Sequence, residues 1–158
     1  MPSMTYGYEI TMTPLYTINF YNAIANGGYY VKPHLVREYR RGGELVESFE
    51  PRVDRHRICS KKNLGIMQRF LLSVVERPDG TGYRSVRNDQ VRIAGKTGTA
   101  EMASMKGRYQ VSFVGYFPAD EPKYTAIVVM IGNYENEGAP RFCGTVVRDL
   151  AKQLTIKQ

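Results

Sequence analysis

The sequence predicts an α+β fold: an antiparallel three-strand meander flanked by helices. Three observations predict it. Runs rich in β-branched and aromatic residues occupy 92–100, 110–117 and 125–131, with short turn-rich loops between them. Apolar residues at helical spacing fill segments before and after those runs. The 158 residues, 42% of them apolar, suit one domain with its own hydrophobic core. There are no internal repeats and no low-complexity segments.

Thr13 reads as a helix N-cap with Pro14 at the first helical position. Leu15, Ile18, Tyr21 (or Asn22) and Ala25 come at helical spacing, and Gly27-Gly28 ends the helix where a left-handed residue is usual. A surface hairpin is next, Leu35 to Arg40 and Glu44 to Glu50 around a Gly42-Gly43 turn. Ser60 caps a second helix running to Glu76, with Leu64, Met67, Leu71 and Val74 on one stripe. Pro78-Asp79-Gly80-Thr81-Gly82 is a turn. The first strand of the meander runs from Arg92 to Ala100, and a loop through Ser104 to Gly107 leads to the second, Gln110 to Phe117. Pro118 to Pro122 turns the chain into the third, Thr125 to Ile131. Residues 126–131 are apolar without a break, so that strand is expected to be buried on both faces. The last helix spans Gly144 to Leu154, with Val146, Val147, Leu150 and Leu154 facing inward.

The first strand of the meander carries the chemistry. Val91, Ile93, Thr97 and Thr99 are β-branched at period two, but two glycines interrupt the run and Lys96 sits between them. Glycine inside a strand marks a place where a ligand or another backbone approaches closely. Lys96 and Gly98 project to the same face of an extended strand, so a charge stands beside open space. Thr97 and Thr99 add hydroxyls, and the backbone adds N–H groups. That set suits an extended peptide with a carboxylate end. The plain alternative is an edge lysine that blocks sheet-to-sheet association.

Lys96-Thr97-Gly98 is one of three motifs that mark penicillin-binding proteins and serine β-lactamases. Thr5-Tyr6-Gly7-Tyr8-Glu9 with Thr13-Pro14-Leu15 resembles a stretch of class B penicillin-binding proteins, Tyr16 standing where that family has glutamine. Tyr21-Asn22-Ala23-Ile24-Ala25-Asn26-Gly27-Gly28 and Lys32-Pro33 resemble the family's next segment. Arg141-Phe142-Cys143-Gly144 resembles an aromatic-Gly-Gly loop before the family's last helix, although Arg141 and Cys143 depart from the usual aromatic and glycine. These segments keep family order over nearly the whole chain. The chain is therefore similar to the C-terminal part of the transpeptidase domain of a class B penicillin-binding protein.

The resemblance implies a partial transpeptidase fold, related to that of serine β-lactamases, with three of the family's five strands and one sheet edge unprotected. Self-association through that edge is expected. It also implies acyl transfer through a serine ester in peptidoglycan cross-linking, the donor being a stem peptide that ends in D-Ala-D-Ala and β-lactams its mimics. Lys96 would supply positive charge and help proton transfer. Thr97 and Thr99 would bind the terminal carboxylate, the Thr99 N–H would form half of an oxyanion hole, and Gly98 would let the substrate lie along the strand. Phe142 would border the substrate; simple core packing is the other reading of it. Tyr6, Gly7 and Tyr8 would support the site floor.

The family's nucleophile lies in Ser-x-x-Lys, and a second motif is Ser-x-Asn. None of Ser3, Ser48, Ser60, Ser73, Ser85, Ser104 and Ser112 has lysine three residues on or asparagine two residues on. In the family both motifs precede the Tyr-Gly-Tyr segment, so the expectation is a chain lacking that N-terminal part and inactive alone. Its parent would be membrane-anchored, work on the periplasmic side, and join a division or elongation complex.

The net charge of +7 favours anionic partners or simply solubility, and no nucleic-acid-binding signature is present. Two distant cysteines, Cys59 and Cys143, and two isolated histidines give no zinc pattern and imply no disulfide. No glycine pattern for phosphate binding occurs, so no cofactor is expected. Two other classes compete. A β-lactamase-like hydrolase shares Lys-Thr-Gly but not Tyr-Gly-Tyr. A non-enzymatic peptide-binding module would bind without a covalent adduct.

Overall fold

The computed structural model describes residues 10–102, 105–133 and 139–156. In chain order these form α1 (Pro14–Ala25), β1 (Tyr29–Lys32), β2 (Glu38–Arg41), β3 (Glu44–Ser48), β4 (Arg52–Arg57), α2 (Lys61–Glu76), α3 (Tyr83–Val86), β5 (Ala94–Glu101), β6 (Tyr109–Phe117), β7 (Tyr124–Gly132) and α4 (Ala139–Ile156). The central sheet is the antiparallel meander β5-β6-β7, and two-stranded sheets β1-β4 and β2-β3 stand beside it. The α+β architecture read from the sequence is the one observed. Tyr6, Gly7 and Tyr8 lie outside the described residues.

Local chemistry sets the boundaries. Thr13 is extended ahead of Pro14, although its hydroxyl makes no capping bond. Gly27 and Gly28 have φ of +62° and +90°, and the Gly28 N–H returns to the Ala23 carbonyl at 2.8 Å, closing α1. Gly42 and Gly43 are likewise left-handed, the twist that a two-residue hairpin turn needs. Ser60 Oγ accepts the Asn63 N–H at 3.2 Å to start α2, which ends at Glu76, with Arg77 held extended before Pro78.

Helices cover both faces of the meander. On one face Val111, Phe113 and Phe117 pack with Val75, Val86 and Ile93 and with Cys143, Val147 and Ala151 of α4. On the other, Ala94 and Tyr116 meet Ile24 of α1 and Leu64 and Leu71 of α2. Each large apolar side chain buried this way contributes about 1.5–3 kcal/mol.

Four expectations change, and two features have no counterpart among them. The run 126–131 is half-buried rather than enclosed, and Ile131 is 53% exposed, because β7 is an edge strand with β6 its one neighbour among the described residues. The last helix starts at Ala139, so Arg141, Phe142, Cys143 and Gly144 are helical and not loop; proline is tolerated in a first turn. The inward stripe of α4 is Cys143, Val147 and Ala151 with Leu154 partly buried, while Val146 and Leu150 face outward. The side of α4 turned to the sheet is the one through Cys143, Val147 and Ala151, whose small first and last members let the helix approach. The stripe on α2 is likewise shifted, to Leu64, Leu71 and Val75, with Met67 exposed. The sheet β1-β4 and the helix α3 have no clear signal in the sequence. Residues 52–57, Arg-Val-Asp-Arg-His-Arg, carry little β propensity, and pairing with β1 comes from across the chain.

Candidate functional site

Strand β5 places the predicted residues on an open edge of the sheet, since β6 is its one neighbour among the described residues. Lys96 pairs in register with Val114, Thr97 with Phe113, Gly98 with Ser112 and Thr99 with Val111. The pleat sends Lys96 and Gly98 to one face and Thr97 and Thr99 to the other.

Lys96 is exposed and lines a cavity of about 380 Å³ with Ser73 and Arg77 from the end of α2 and Asp79, Gly80 and Thr81 from the turn after it. Its Nζ donates to the Thr97 carbonyl at 2.7 Å. An ammonium has three N–H donors, so two remain for a ligand. Arg77 adds a guanidinium, which is tied to Asp79 through Nε–Oδ1 at 2.9 Å and Nη2–Oδ2 at 3.1 Å. That bond, and the charge behind it, hold the Asp79 carboxyl below the ordinary aspartate range.

Thr97 Oγ1 lies 2.8 Å from Thr81 Oγ1. One hydroxyl donates to the other, which leaves one O–H of the pair free to point at an anion. In the sequence Thr81 reads only as part of a turn. The signal is its place between two glycines. The Gly82 N–H donates to the Val74 carbonyl at 2.9 Å, and a Cβ on Gly80 would run into that same carbonyl oxygen. Only glycine lets the turn close so tightly on α2 and bring Thr81 to β5. Thr99 is exposed on the same strand.

Gly98 has a neighbour inside the protein: a Cβ there would lie 2.6 Å from Ser112 Oγ. Its missing side chain thus makes room within the sheet face as well as beside Lys96. Glu101 accepts the Gly107 N–H at 3.2 Å rather than a cation. Phe142 is 60% exposed on α4 and does not line the Lys96 cavity. Among the described residues Phe142 is not part of the packed core. The next residue, Cys143, is buried, its Sγ 3.6 Å from the Val111 carbonyl, and burial pushes its thiol up. Both cysteines are free. No group of three or more potential metal ligands gathers among the described residues.

A family model described as the penicillin binding protein transpeptidase domain matches residues 1–151. Penicillin-binding protein PbpB of Mycobacterium tuberculosis is 32% identical over 148 residues, which cover 85% of this chain and 21% of that protein. A peptidoglycan synthetase from Bifidobacterium adolescentis has a similar structure, with a TM-score of 0.77 at 22% identity over 96% of this chain and 27% of that one. Penicillin-binding protein A of M. tuberculosis, solved as an imipenem acyl-enzyme complex, gives 0.67 at 22% over 90% of this chain and 32% of that one. The chain spans about a fifth of the length of the curated relatives it matches.

Proposed function

The chain belongs to the penicillin-binding protein transpeptidase family, and on that premise we propose that β5 is one wall of a peptidoglycan D,D-transpeptidase site. The wall receives a stem peptide that ends in D-Ala-D-Ala, and β-lactams as its mimics. Lys96 attracts the terminal carboxylate and aids proton transfer between the family's serines, away from the nucleophile as it attacks. The hydroxyls of Thr97 and Thr99 bind that carboxylate, the substrate lies along Gly98, and the Thr99 N–H donates to the oxyanion. Losing one such donor typically costs about a hundred- to a thousandfold in rate. Phe142 borders the substrate from α4.

One observation carries this reading: Lys96, with two ammonium donors left over, and the Thr81–Thr97 hydroxyl pair lie side by side along a strand whose outer edge is open among the described residues. None of the serines in these 158 residues stands in Ser-x-x-Lys or Ser-x-Asn, so the chain alone binds but does not form the acyl ester. The complete enzyme works outside the bacterial inner membrane. No helix among the described residues is long and apolar enough to cross a membrane.

The test is titration of the isotope-labelled chain with N-acetyl-D-Ala-D-Ala, monitored by amide NMR. Shifts at 96–99 and Thr81, weakened about tenfold or more in Lys96→Ala, are expected for a charge-assisted contact. Shifts elsewhere, or equal binding of the C-terminal amide, would refute the reading. The second open edge, β7, is uncharged from Tyr124 to Gly132 and supports self-association by strand pairing. A clean monomer by light scattering would count against that.

A further inference from the structure

A cavity of about 570 Å³ lies between the β1-β4 sheet and the foot of the β2-β3 hairpin. Lys32, Pro33, His34, Phe49, Glu50 and Arg52 define it. A second cavity of about 370 Å³ shares Lys32, Pro33 and His34 and extends along α1, where Leu15, Ile18 and Asn19 line it. Neither cavity includes a residue of β5.

Three features of this double cavity point to one ligand chemistry. First, Lys32 and Arg52 stand directly opposite each other in the β1-β4 register. Like charges in that position repel, and neither side chain has an ion pair among the described residues. Second, Asn19 is 5% exposed and its Nδ2 has no hydrogen-bond partner among the described residues. A buried amide donor left unmade is costly, and the residue that carries it lines the smaller cavity. Third, Phe49, Pro33, Leu15 and Ile18 give apolar walls. The unmet needs are thus those of donors and cations, beside an apolar surface. Glu50 supplies the one carboxylate of the lining and offsets one of the two permanent cations. The balance suits a monoanion better than a phosphate monoester, which carries nearly two charges.

We propose that this cavity binds a carboxylate borne on an apolar residue, as at the end or along the side of a peptide. The carboxylate lies between Lys32 and Arg52, the Asn19 Nδ2 donates to an adjacent carbonyl of the ligand, and the apolar group rests on Phe49 and Pro33.

The probe is N-acetyl-phenylalanine, titrated into the labelled 158-residue chain beside its neutral ethyl ester and inorganic phosphate. The expected result is a saturable shift of the Asn19 side-chain amide by the acid. Affinity falls tenfold or more for the ester and for Arg52→Ala, and phosphate binds more weakly than the acid. Asn19→Leu provides the second arm: it removes the unmet donor, so the free chain becomes no less stable while affinity for the acid falls. Equal binding of acid and ester, phosphate binding as tightly as the acid, or no movement of the Asn19 amide would each overturn the proposal.

Discussion

Alanine at position 98 is the sharpest test of how the Lys-Thr-Gly strand is built. A Cβ there would sit 2.6 Å from Ser112 Oγ but 3.9 Å from Ser112 Cβ. Only the oxygen is too close, and ordinary contact begins once it is gone. The clash can be met by rotating Ser112 or by easing β5 away from β6, and overpacking of this kind costs about 1–3 kcal/mol. Because Ser112 can rotate, Gly98→Ala should fall in the lower part, about 1–2 kcal/mol. At about 2–4 °C per kcal/mol for a chain of this size, the midpoint drops by about 2–8 °C. Ser112→Ala removes the offending oxygen, so the double variant should lie within about 0.5 kcal/mol of Ser112→Ala alone. Gly95→Ala is the control without an escape. Its Cβ would lie 2.5 Å from the Phe113 ring, 2.5 Å from the Val114 carbonyl and 2.9 Å from Gly115 Cα. Two of those are backbone atoms that no rotamer can move, so the cost should reach about 3 kcal/mol or more. Urea unfolding monitored by circular dichroism reads all four variants. Strictly additive effects of Gly98→Ala and Ser112→Ala would refute the argument.

Burial and charge set the other expected outcomes. Phe113→Ala, at a position 0% exposed, should cost about 3–5 kcal/mol by denaturant unfolding, whereas Phe142→Ala, at 60% exposure, should stay within about 0.5 kcal/mol. In the native chain a thiol reagent should modify the half-buried Cys59 quickly and Cys143 only on unfolding, since burial both shields that thiol and disfavours its thiolate. Asp79 should titrate below the ordinary aspartate range when observed by its carboxyl carbon shift, and Arg77→Gln should bring it back up. Its folded value is depressed, so its stabilising contribution is present above the unfolded value and is lost as pH falls through the folded one.

The meander and its flanking helices are legible in the sequence because their signals are local. Pro14 and the Gly27-Gly28 pair bound one helix, Ser60 starts another, and Gly42-Gly43 turns a hairpin. The facing of elements is not legible. Val75 rather than Val74, and Cys143 rather than Val146, point inward because a sheet on one side selects one row of a helix whose flanks are equally apolar. Residues 52–57 become β4 through pairing with β1, a tertiary effect that overrides their charged composition. At the site, Lys96, Thr97, Gly98 and Thr99 are visible as an odd strand, but Thr81 is hidden in a turn whose meaning depends on the approach of α2. Phe142 is expected in a loop by resemblance, but its local setting is a helix.

The proposed site is a substrate wall without its own nucleophile. Intact-protein mass after incubation with a penicillin, beside a circular dichroism spectrum, tests it most directly. The expected result is a folded chain with no added mass. A stoichiometric penicilloyl adduct on a serine of this chain would contradict it.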